Sequence, residues 1–147
     1  MRTMKSLAAG LFASCLLTAC ATVQKATPPL DVVRAKFDAV NRHDLQAITA
    51  AYAPDARLLA SDFCAPRVGH AAVERTYSGL LGSIEDLSVS IDQAIADGNN
   101  VLMHIRVQGA VHGQRFEVPI SNYFEVRDGL IAYDLGVFDN GSRPCRQ

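Results

Sequence analysis

The sequence predicts an α+β domain in which helices come first and pack on one face of a curved antiparallel sheet. Two observations support this prediction. Apolar residues recur every three or four positions over residues 30–52 and 70–81, as they do in amphipathic helices. From residue 84 onwards, apolar and polar residues alternate, which is typical of strands with one buried face.

The residues before this domain predict export. Arg2 and Lys5 form a short basic start, and residues 6–17 carry no charge, which is the layout of a secretory signal peptide. The uncharged run is too short to span a bilayer as a mature helix, because such a helix needs about 20 residues. We therefore expect residues 1–19 to be a signal peptide.

The end of this segment, LTAC at residues 17–20, resembles the bacterial lipobox. The resemblance implies that Cys20 carries lipid and that residues 20–29 tether the domain to the membrane. Residue 21 is Ala and not Asp, so the sorting pattern implies the outer membrane more than the inner one. The alternative is a plain signal peptide that is cut near Ala19 or Ala21. Either cleavage predicts a periplasmic protein.

The remaining composition predicts one domain without affinity for nucleic acids. Removing 19 of the 147 residues leaves 128, which is enough for one core. The removed segment holds two of the 14 basic residues and none of the 15 acidic ones, so 12 basic and 15 acidic residues remain, a net charge of −3. Because binding to phosphates needs a basic surface, we expect no nucleic-acid partner.

The cysteines predict a disulfide bond. Cys15 lies in the predicted signal peptide and Cys20 is the predicted lipidation site, which leaves Cys64 and Cys145. Two cysteines in an oxidising compartment indicate a disulfide first. A nucleophilic Cys64 would need a base beside it, and no histidine has an argued position there.

The helices are expected in the following order. Leu30, Val33, Phe37 and Val40 have helical spacing and predict the first helix. Residues 45–52 predict a short second helix, with Asp44 as its N-cap. The third helix is expected over residues 70–81 and is followed by Gly82.

The strands are expected between and after the helices. Residues 57–60 predict a short strand, and residues 61–69 predict a turn or hairpin. Later strands begin near residues 84, 101, 116 and 130, separated by turn signals at residues 97–100, a loose turn at 109–113, and the tight turn Asp128-Gly129.

Three stretches in this order resemble the SnoaL-like branch of the nuclear-transport-factor-2-like superfamily. They are VRAKFDAVNRHDLQAITAAYAPDARLL at residues 33–59, RVGHAAVERTY at 67–77 and VRDGLIAYDLGVFD at 126–139. The resemblance covers about residues 30–140 and implies a cone-shaped, often dimeric fold with a pocket between sheet and helices. The superfamily includes polyketide cyclases, ketosteroid isomerases, dehydratases and domains that only bind, so the fold alone does not choose a function.

The ketosteroid isomerases give a register for individual residues. By resemblance, their catalytic Asp base falls on Ala60, their Tyr donor falls near Lys36, and their protonated Asp donor falls on Asn122. Ala60 cannot move a proton, whereas Asn122 can donate a hydrogen bond. A shift of two residues would place Asp62 at the base position, although Asp62 could instead cap its own turn.

Other polar residues have two interpretations each. Lys36 either donates into a pocket or is solvated, and Arg67 either pairs with Asp62 or contacts an acidic ligand. The four histidines lack metal-ligand spacing, so we expect no metal site and no cofactor. The residues that we expect to line a ligand pocket are all large and are apolar or aromatic: Phe37, Tyr52, Phe63, Tyr77, Met103 and Phe124.

Three functional hypotheses follow. The first is a membrane-anchored periplasmic domain, residues 30–147, that binds a small and mostly apolar molecule without the isomerase catalytic set. The second is an enzyme of isomerase, cyclase or dehydratase type that uses Asp62 as base and Asn122 as donor. The third is a non-catalytic dimerisation module, which predicts a filled core. The first and second require a cavity.

Overall fold

The computed structural model describes residues 27–146, which form one α+β fold. The helices are α1 (Pro29–Asn41), α2 (Leu45–Ala50) and α3 (His70–Ser83). The strands are β1 (Tyr52–Ala60), β2 (Arg67–Val68), β3 (Glu85–Asp97), β4 (Asn100–Val111), β5 (Gln114–Arg127) and β6 (Leu130–Val137). The predicted fold class is confirmed: α1 and α2 come before a curved, unclosed sheet, and α3 lies between its strands β2 and β3.

The sheet has the order β2-β1-β6-β5-β4-β3. The first and last long strands are neighbours, and β1 runs parallel to β6. This pair is an exception to the antiparallel sheet that the sequence predicts, while the other pairings are antiparallel. The connection between β1 and β6 includes most of the domain, so no local turn signal could reveal that these two strands are parallel.

The helix boundaries differ from the prediction at one informative place. Asp44 caps α2 as expected, because its side chain accepts a hydrogen bond from the backbone N–H of Ala47. The helix ends at Ala50, however, and Tyr52 begins β1 instead of ending α2. Tyr52 pairs with Ile131 of β6. Pairing in the sheet therefore overrides the helical spacing of residues 45–52.

The hairpin turns explain where the long strands reverse. Asp128 and Gly129 both have positive φ, as the predicted tight turn requires. The turn at residues 109–113 is tighter than predicted, because β4 extends to Val111 and only two residues connect it to β5. His112 and Gly113 both have positive φ there. The long β4–β5 hairpin follows from this geometry.

Helix α1 packs across the sheet and also protects its edge. Phe37 meets the ring of Phe124 on β5 edge-on, with 5.8 Å between centroids. At the end of α1, the side-chain amide of Asn41 donates to the carbonyl of Val89 and accepts from the N–H of Val89. Nε2 of His43 lies 2.9 Å from the carbonyl oxygen of Leu87. Side chains from the α1–α2 corner thus hydrogen-bond the free edge of β3.

No helix within residues 27–146 has the length and apolarity that crossing a membrane requires. The predicted signal peptide, the lipidation site Cys20 and most of the tether lie outside the described residues.

Candidate functional site

A cavity of about 330 Å³ lies between the sheet, α1, α3 and the end of the chain. Its walls are mostly apolar and come from nearly every element of the fold. A volume of this size suits a small organic molecule. The main apolar wall residues are Val40, Leu58, Leu80, Ile105, Val107 and Ile120.

The floor of the cavity carries a buried ion pair, formed by Lys36 and Asp134. Nζ of Lys36, which is 2 % exposed, lies 3.6 Å from Oδ2 of Asp134, which is 7 % exposed. The hydroxyl of Tyr52 donates to Oδ2 of Asp134 at 2.6 Å and lies 2.9 Å from the hydroxyl of Tyr77. Four polar side chains from α1, β1, α3 and β6 therefore meet in an otherwise apolar interior, and we call them the buried quartet.

The sequence explains why Lys36 lies inside the fold. Lys36 follows Val33 by three positions and precedes Val40 by four, so it shares the buried stripe of α1. Its ammonium group lies 3.9 Å from the centre of the Phe37 ring and 5.2 Å from that of Phe124. The faces of both aromatic rings are electronegative and favour the cation.

The buried quartet shifts the pKa values of its members. Burial lowers the pKa of Lys36, but Tyr77 and Asp134 raise it by more, so it lies above the usual 10.5. Burial, followed by the charge of Asp134, raises the pKa of Tyr52 well above 10.0. Burial also raises the pKa of Tyr77, although Lys36 opposes this shift. At neutral pH Lys36 is therefore charged, and both tyrosines are neutral.

Asn122 of β5 lies beside the quartet and also lines the cavity. Its Nδ2 donates to Oδ1 of Asp134 at 3.4 Å, which leaves Oδ1 of Asn122 as an acceptor. That oxygen is buried and has no hydrogen-bond partner among the described residues. Space beside the amide comes from Gly136, where a Cβ would lie 3.3 Å from Nδ2 of Asn122. A buried acceptor without a partner is costly, so a ligand that donates a hydrogen bond there would lower the free energy.

We place the mouth of the cavity at the hairpin of residues 61–69, at Arg75 and at the end of the chain, because the exposed charged residues of its wall, Arg75 and Arg146, lie there. Asp62 lines this mouth and pairs with Arg146, through both the carboxylate and the backbone carbonyl. Arg67 does not pair with Asp62. Its guanidinium lies 3.7 Å from the centre of the Phe63 ring, and its Nη1 donates to Oγ1 of Thr76 at 3.0 Å.

The predicted disulfide is present and joins this hairpin to the end of the chain. Cys64 and Cys145 are bonded, with 4.8 Å between their Cα atoms. Phe63 and Arg146 form a parallel bridge beside the bond. We call residues 138–146 the tail; Phe138 and Arg146 of the tail line the cavity. The disulfide therefore holds one side of the mouth together.

The structure brings some of the predicted site residues together and separates others. Asp62 and Asn122 line the same cavity, as do the expected pocket residues Phe37, Phe63 and Tyr77. Tyr52, Met103 and Phe124 do not form its wall, which corrects the expectation for these three. They are almost fully buried in the core, and Tyr52 reaches the site only through Asp134 and Tyr77.

Sequence reasoning overlooked Asp134, although a signal was present. In β6, Ala132, Asp134 and Gly136 share the buried face. An acidic residue at an inward position of a strand is unusual, because a buried carboxylate needs a partner. Its partner, Lys36, was recognisable from the helical stripe, but only the fold places the two side chains together.

The chain matches the family model of the SnoaL-like domain over residues 33–133. No functionally curated protein matches it. Among solved structures, a protein with a ketosteroid isomerase-like fold from Catenulispora acidiphila, in complex with trimethylamine, has a TM-score of 0.70 at 21% identity, over 76% of this chain and 88% of that one.

Two further structures have similar scores. An epoxide hydrolase from M. tuberculosis has a TM-score of 0.68 at 23% identity, over 76% of this chain and 82% of that one. IdmH, a proposed polyketide cyclase from Streptomyces antibioticus, has a TM-score of 0.70 at 21% identity, over 79% of this chain and 95% of that one. At such identities these similarities show the fold. Together with the match over residues 33–133, they establish that this chain belongs to the SnoaL-like domain family.

Proposed function

We propose that this domain binds a small, mostly apolar molecule that carries a hydrogen-bonding group at its inner end. The observation that carries the proposal is Asn122, which lines an apolar cavity and whose buried Oδ1 has no hydrogen-bond partner among the described residues. The apolar walls favour an apolar body, and Oδ1 favours a hydroxyl or amine hydrogen. A purely structural dimerisation module would have no use for such a cavity.

Binding can be tested with a neutral probe. N-phenyl-naphthylamine fluoresces in apolar surroundings, and we expect the purified protein to enhance its emission. Decanol should displace it, because its hydroxyl can donate to Asn122 and its chain can fill the cavity. In Asn122→Leu, the affinity for decanol should fall by about tenfold, since the hydrogen bond is lost.

The matched control is Ser121→Leu, because Ser121 is the exposed neighbour of Asn122 on β5. It should bind decanol like the unmodified protein. If neither the fluorescent probe nor decanol bound the unmodified protein, the proposal would be wrong.

An acid–base enzyme is a second candidate, and the placement of carboxylates favours it. Asp62 and Asp134 both line the cavity, and Asn122 lies beside Asp134 as a donor. A carboxylate and a donor on one cavity are what proton transfer in isomerases, cyclases and dehydratases requires. The proteins of similar fold include an epoxide hydrolase and a proposed polyketide cyclase, which supports this class.

Proton transfer can be detected without knowing the substrate. A panel of apolar ketones in D₂O would be followed by NMR for exchange at the carbon next to the carbonyl. Exchange that disappears in Asp62→Asn would identify Asp62 as the base. An absence of exchange with every ketone would count against the enzyme.

We further propose that the domain is exported and anchored by lipid on Cys20, with the outer membrane as its destination. The support is the sequence of residues 1–20. Cys20→Ser should release the protein into the soluble periplasmic fraction, whereas a plain signal peptide predicts a soluble protein with or without this change. Mass spectrometry of the mature N-terminus distinguishes the two cases.

We also propose that the domain forms a homodimer through the outer face of the sheet. The side chains of Ile95 and Leu102 are 67% and 54% exposed there, and such apolar exposure favours association. Ile95 and Leu102 are neighbours across β3 and β4. Analytical ultracentrifugation should show a dimer that Leu102→Glu separates into monomers.

A further inference from the structure

We propose that the ligand of the cavity is an amphiphilic carboxylate, whose inner hydrogen-bonding group and apolar body lie inside and whose carboxylate lies at the mouth against Arg67 and Arg75. This inference rests on the binding role proposed above and adds the charge and the orientation of the ligand.

The charges around the cavity are unbalanced. Four cationic side chains and two anionic ones line it, an excess of two positive charges. The whole chain, in contrast, has a formal net charge of −1. A local excess of positive charge beside low-dielectric walls attracts anions more strongly than the same charges would in open water.

The excess lies at the mouth and not at the floor. Lys36 at the floor is neutralised by Asp134, and Arg146 at the mouth is neutralised by Asp62. Arg67 and Arg75 have no carboxylate within ion-pair distance anywhere in residues 27–146. An acidic ligand group would therefore find its unpaired cations at the mouth.

Arg67 is held in place for such a group. The Phe63 ring supports one face of the guanidinium, and Thr76 accepts a hydrogen bond from Nη1. Oγ1 of Thr76 in turn donates to the carbonyl of Ala72, which fixes the threonine. The hydrogen bonds among the described residues leave Nε and Nη2 of Arg67 without an acceptor. A planar guanidinium that is fixed in this way can bind a carboxylate at a low cost in side-chain entropy.

Arg75 lies on α3, one residue before Thr76, and is exposed to solvent. It lines the cavity, but its side chain makes no hydrogen bond within the described residues. We assign Arg67 the fixed contact with the carboxylate and Arg75 a longer-range electrostatic role. Removing the charge of Arg67 should therefore weaken binding more than removing that of Arg75.

The test compares two probes of equal chain length, ω-hydroxydecanoate and decanol, by their displacement of N-phenyl-naphthylamine. Both carry a hydroxyl that can donate to Asn122, and only the first carries a carboxylate at its other end. We expect ω-hydroxydecanoate to bind about tenfold more tightly than decanol at low salt, as one charge-assisted pair would provide. Added salt should weaken ω-hydroxydecanoate binding and leave decanol binding unchanged, because screening acts on the charge. Equal affinities at low salt would overturn the inference without affecting the binding role, whereas failure of both probes would remove the binding role itself.

Single variants locate the contact. Arg67→Gln should reduce the affinity for ω-hydroxydecanoate by about tenfold and that for decanol by less than twofold. Arg67→Lys should restore part of the loss, because it keeps the charge but not the fork. The matched control, Arg34→Gln, removes an exposed arginine of α1 that does not line the cavity and should change neither affinity. An equal loss for both probes in Arg67→Gln would contradict the proposed orientation.

Discussion

At the scale of single residues, the pair of Lys36 and Asp134 dominates the interior. Burying two charges costs several kcal/mol per ion, and their attraction offsets this cost only while both are present. Asp134 also accepts hydrogen bonds from Tyr52 and Asn122, which further compensates its burial. The intact pair therefore stabilises the fold by less than the removal of one of its two members would destabilise it.

The asymmetry gives the first prediction. Asp134→Asn leaves Lys36 charged and unpaired, and we expect the free energy of unfolding to fall by about 3–5 kcal/mol. The double variant Lys36→Met/Asp134→Asn should be more stable than Asp134→Asn, since no charge remains buried. Urea unfolding followed by circular dichroism measures both changes. If the double variant lost as much unfolding free energy as Lys36→Met and Asp134→Asn together, this account would be contradicted.

The second prediction concerns alkaline pH. The pKa values of Lys36, Tyr52 and Tyr77 are all raised in the folded protein, so the folded state holds protons that the unfolded state releases. The resulting stability is fully present below the unfolded pKa values of 10.0 and 10.5 and is lost as pH rises above them. Urea midpoints should therefore decline above about pH 10, and Tyr52→Phe should make the decline shallower. If the urea midpoint of Tyr52→Phe declined with pH as steeply as that of the unmodified protein, the raised pKa of Tyr52 would not explain the decline.

The sequence predicted the roles of residues whose partners are close along the chain and not the roles of residues whose partners are distant. The N-cap Asp44 and the turn Asp128-Gly129 depend on neighbours in the chain, and both predictions were correct. The partner of Lys36 is 98 positions away, and no local pattern identifies it. Tyr52 was assigned to a helix by its apolar spacing, because its strand partner Ile131 also lies far along the chain and leaves no local signal.

At the scale of elements, two glycines of α3 allow the effect of a substitution on helix stability to be measured apart from its effect on the cavity. Gly79 and Gly82 both lie in this helix, and neither would bring a new Cβ within 4 Å of another group. Of these two glycines, Gly79 lines the cavity and Gly82 does not. The two glycines are therefore a matched pair for testing what occupies the cavity.

The third prediction uses this pair. Gly79→Leu and Gly82→Leu should each raise the free energy of unfolding by up to about 0.8 kcal/mol, because leucine favours helices more than glycine does. Gly79→Leu should also weaken decanol binding, while Gly82→Leu should not. Parallel urea unfolding and probe displacement measure the two effects. Equal binding by both variants would mean that the ligand does not occupy the space beside Gly79.

The disulfide between the hairpin and the tail gives the fourth prediction. Its cysteines are 81 positions apart, so the bond restricts a large part of the unfolded chain. The double variant Cys64→Ser/Cys145→Ser should lose about 4.5 kcal/mol of unfolding free energy, by the chain-entropy estimate. Urea unfolding of the oxidised protein and the double variant measures it. Alkylation of the unmodified protein taken from cells should label neither cysteine, and a labelled Cys64 would contradict the bond in the cell.

At the scale of the whole molecule, residue patterns predicted the order of elements, whereas only the family resemblance predicted a pocket. Apolar periodicity and turn residues indicated three helices followed by long strands, and the family resemblance supplied their arrangement. The cavity depends on side chains from nearly all elements and on the parallel neighbours β1 and β6. Such a volume is a property of the assembled fold, so residue patterns could suggest its lining only in part.

The fifth prediction concerns the whole fold. A ligand that binds only the folded state stabilises it, by about 2.7 kcal/mol when its concentration is 100 times its Kd. The acidic probe ω-hydroxydecanoate should therefore raise the Tm of the unmodified protein in a concentration-dependent way, and by less in Arg67→Gln. Differential scanning calorimetry measures this shift. A Tm that does not respond to ω-hydroxydecanoate, at concentrations that displace N-phenyl-naphthylamine, would indicate binding outside the folded cavity.

The hydrogen bonds from Asn41 and His43 to β3 have a consequence for self-assembly. An open sheet exposes backbone groups at its last strand, and another extended chain can attach there and begin a fibril. The Asn41 amide hydrogen-bonds both backbone groups of Val89, and His43 lies at hydrogen-bond distance from Leu87, so an incoming strand would have to displace these contacts. Two polar side chains from the corner between α1 and α2 thus protect an open-sheet protein against growth into aggregates.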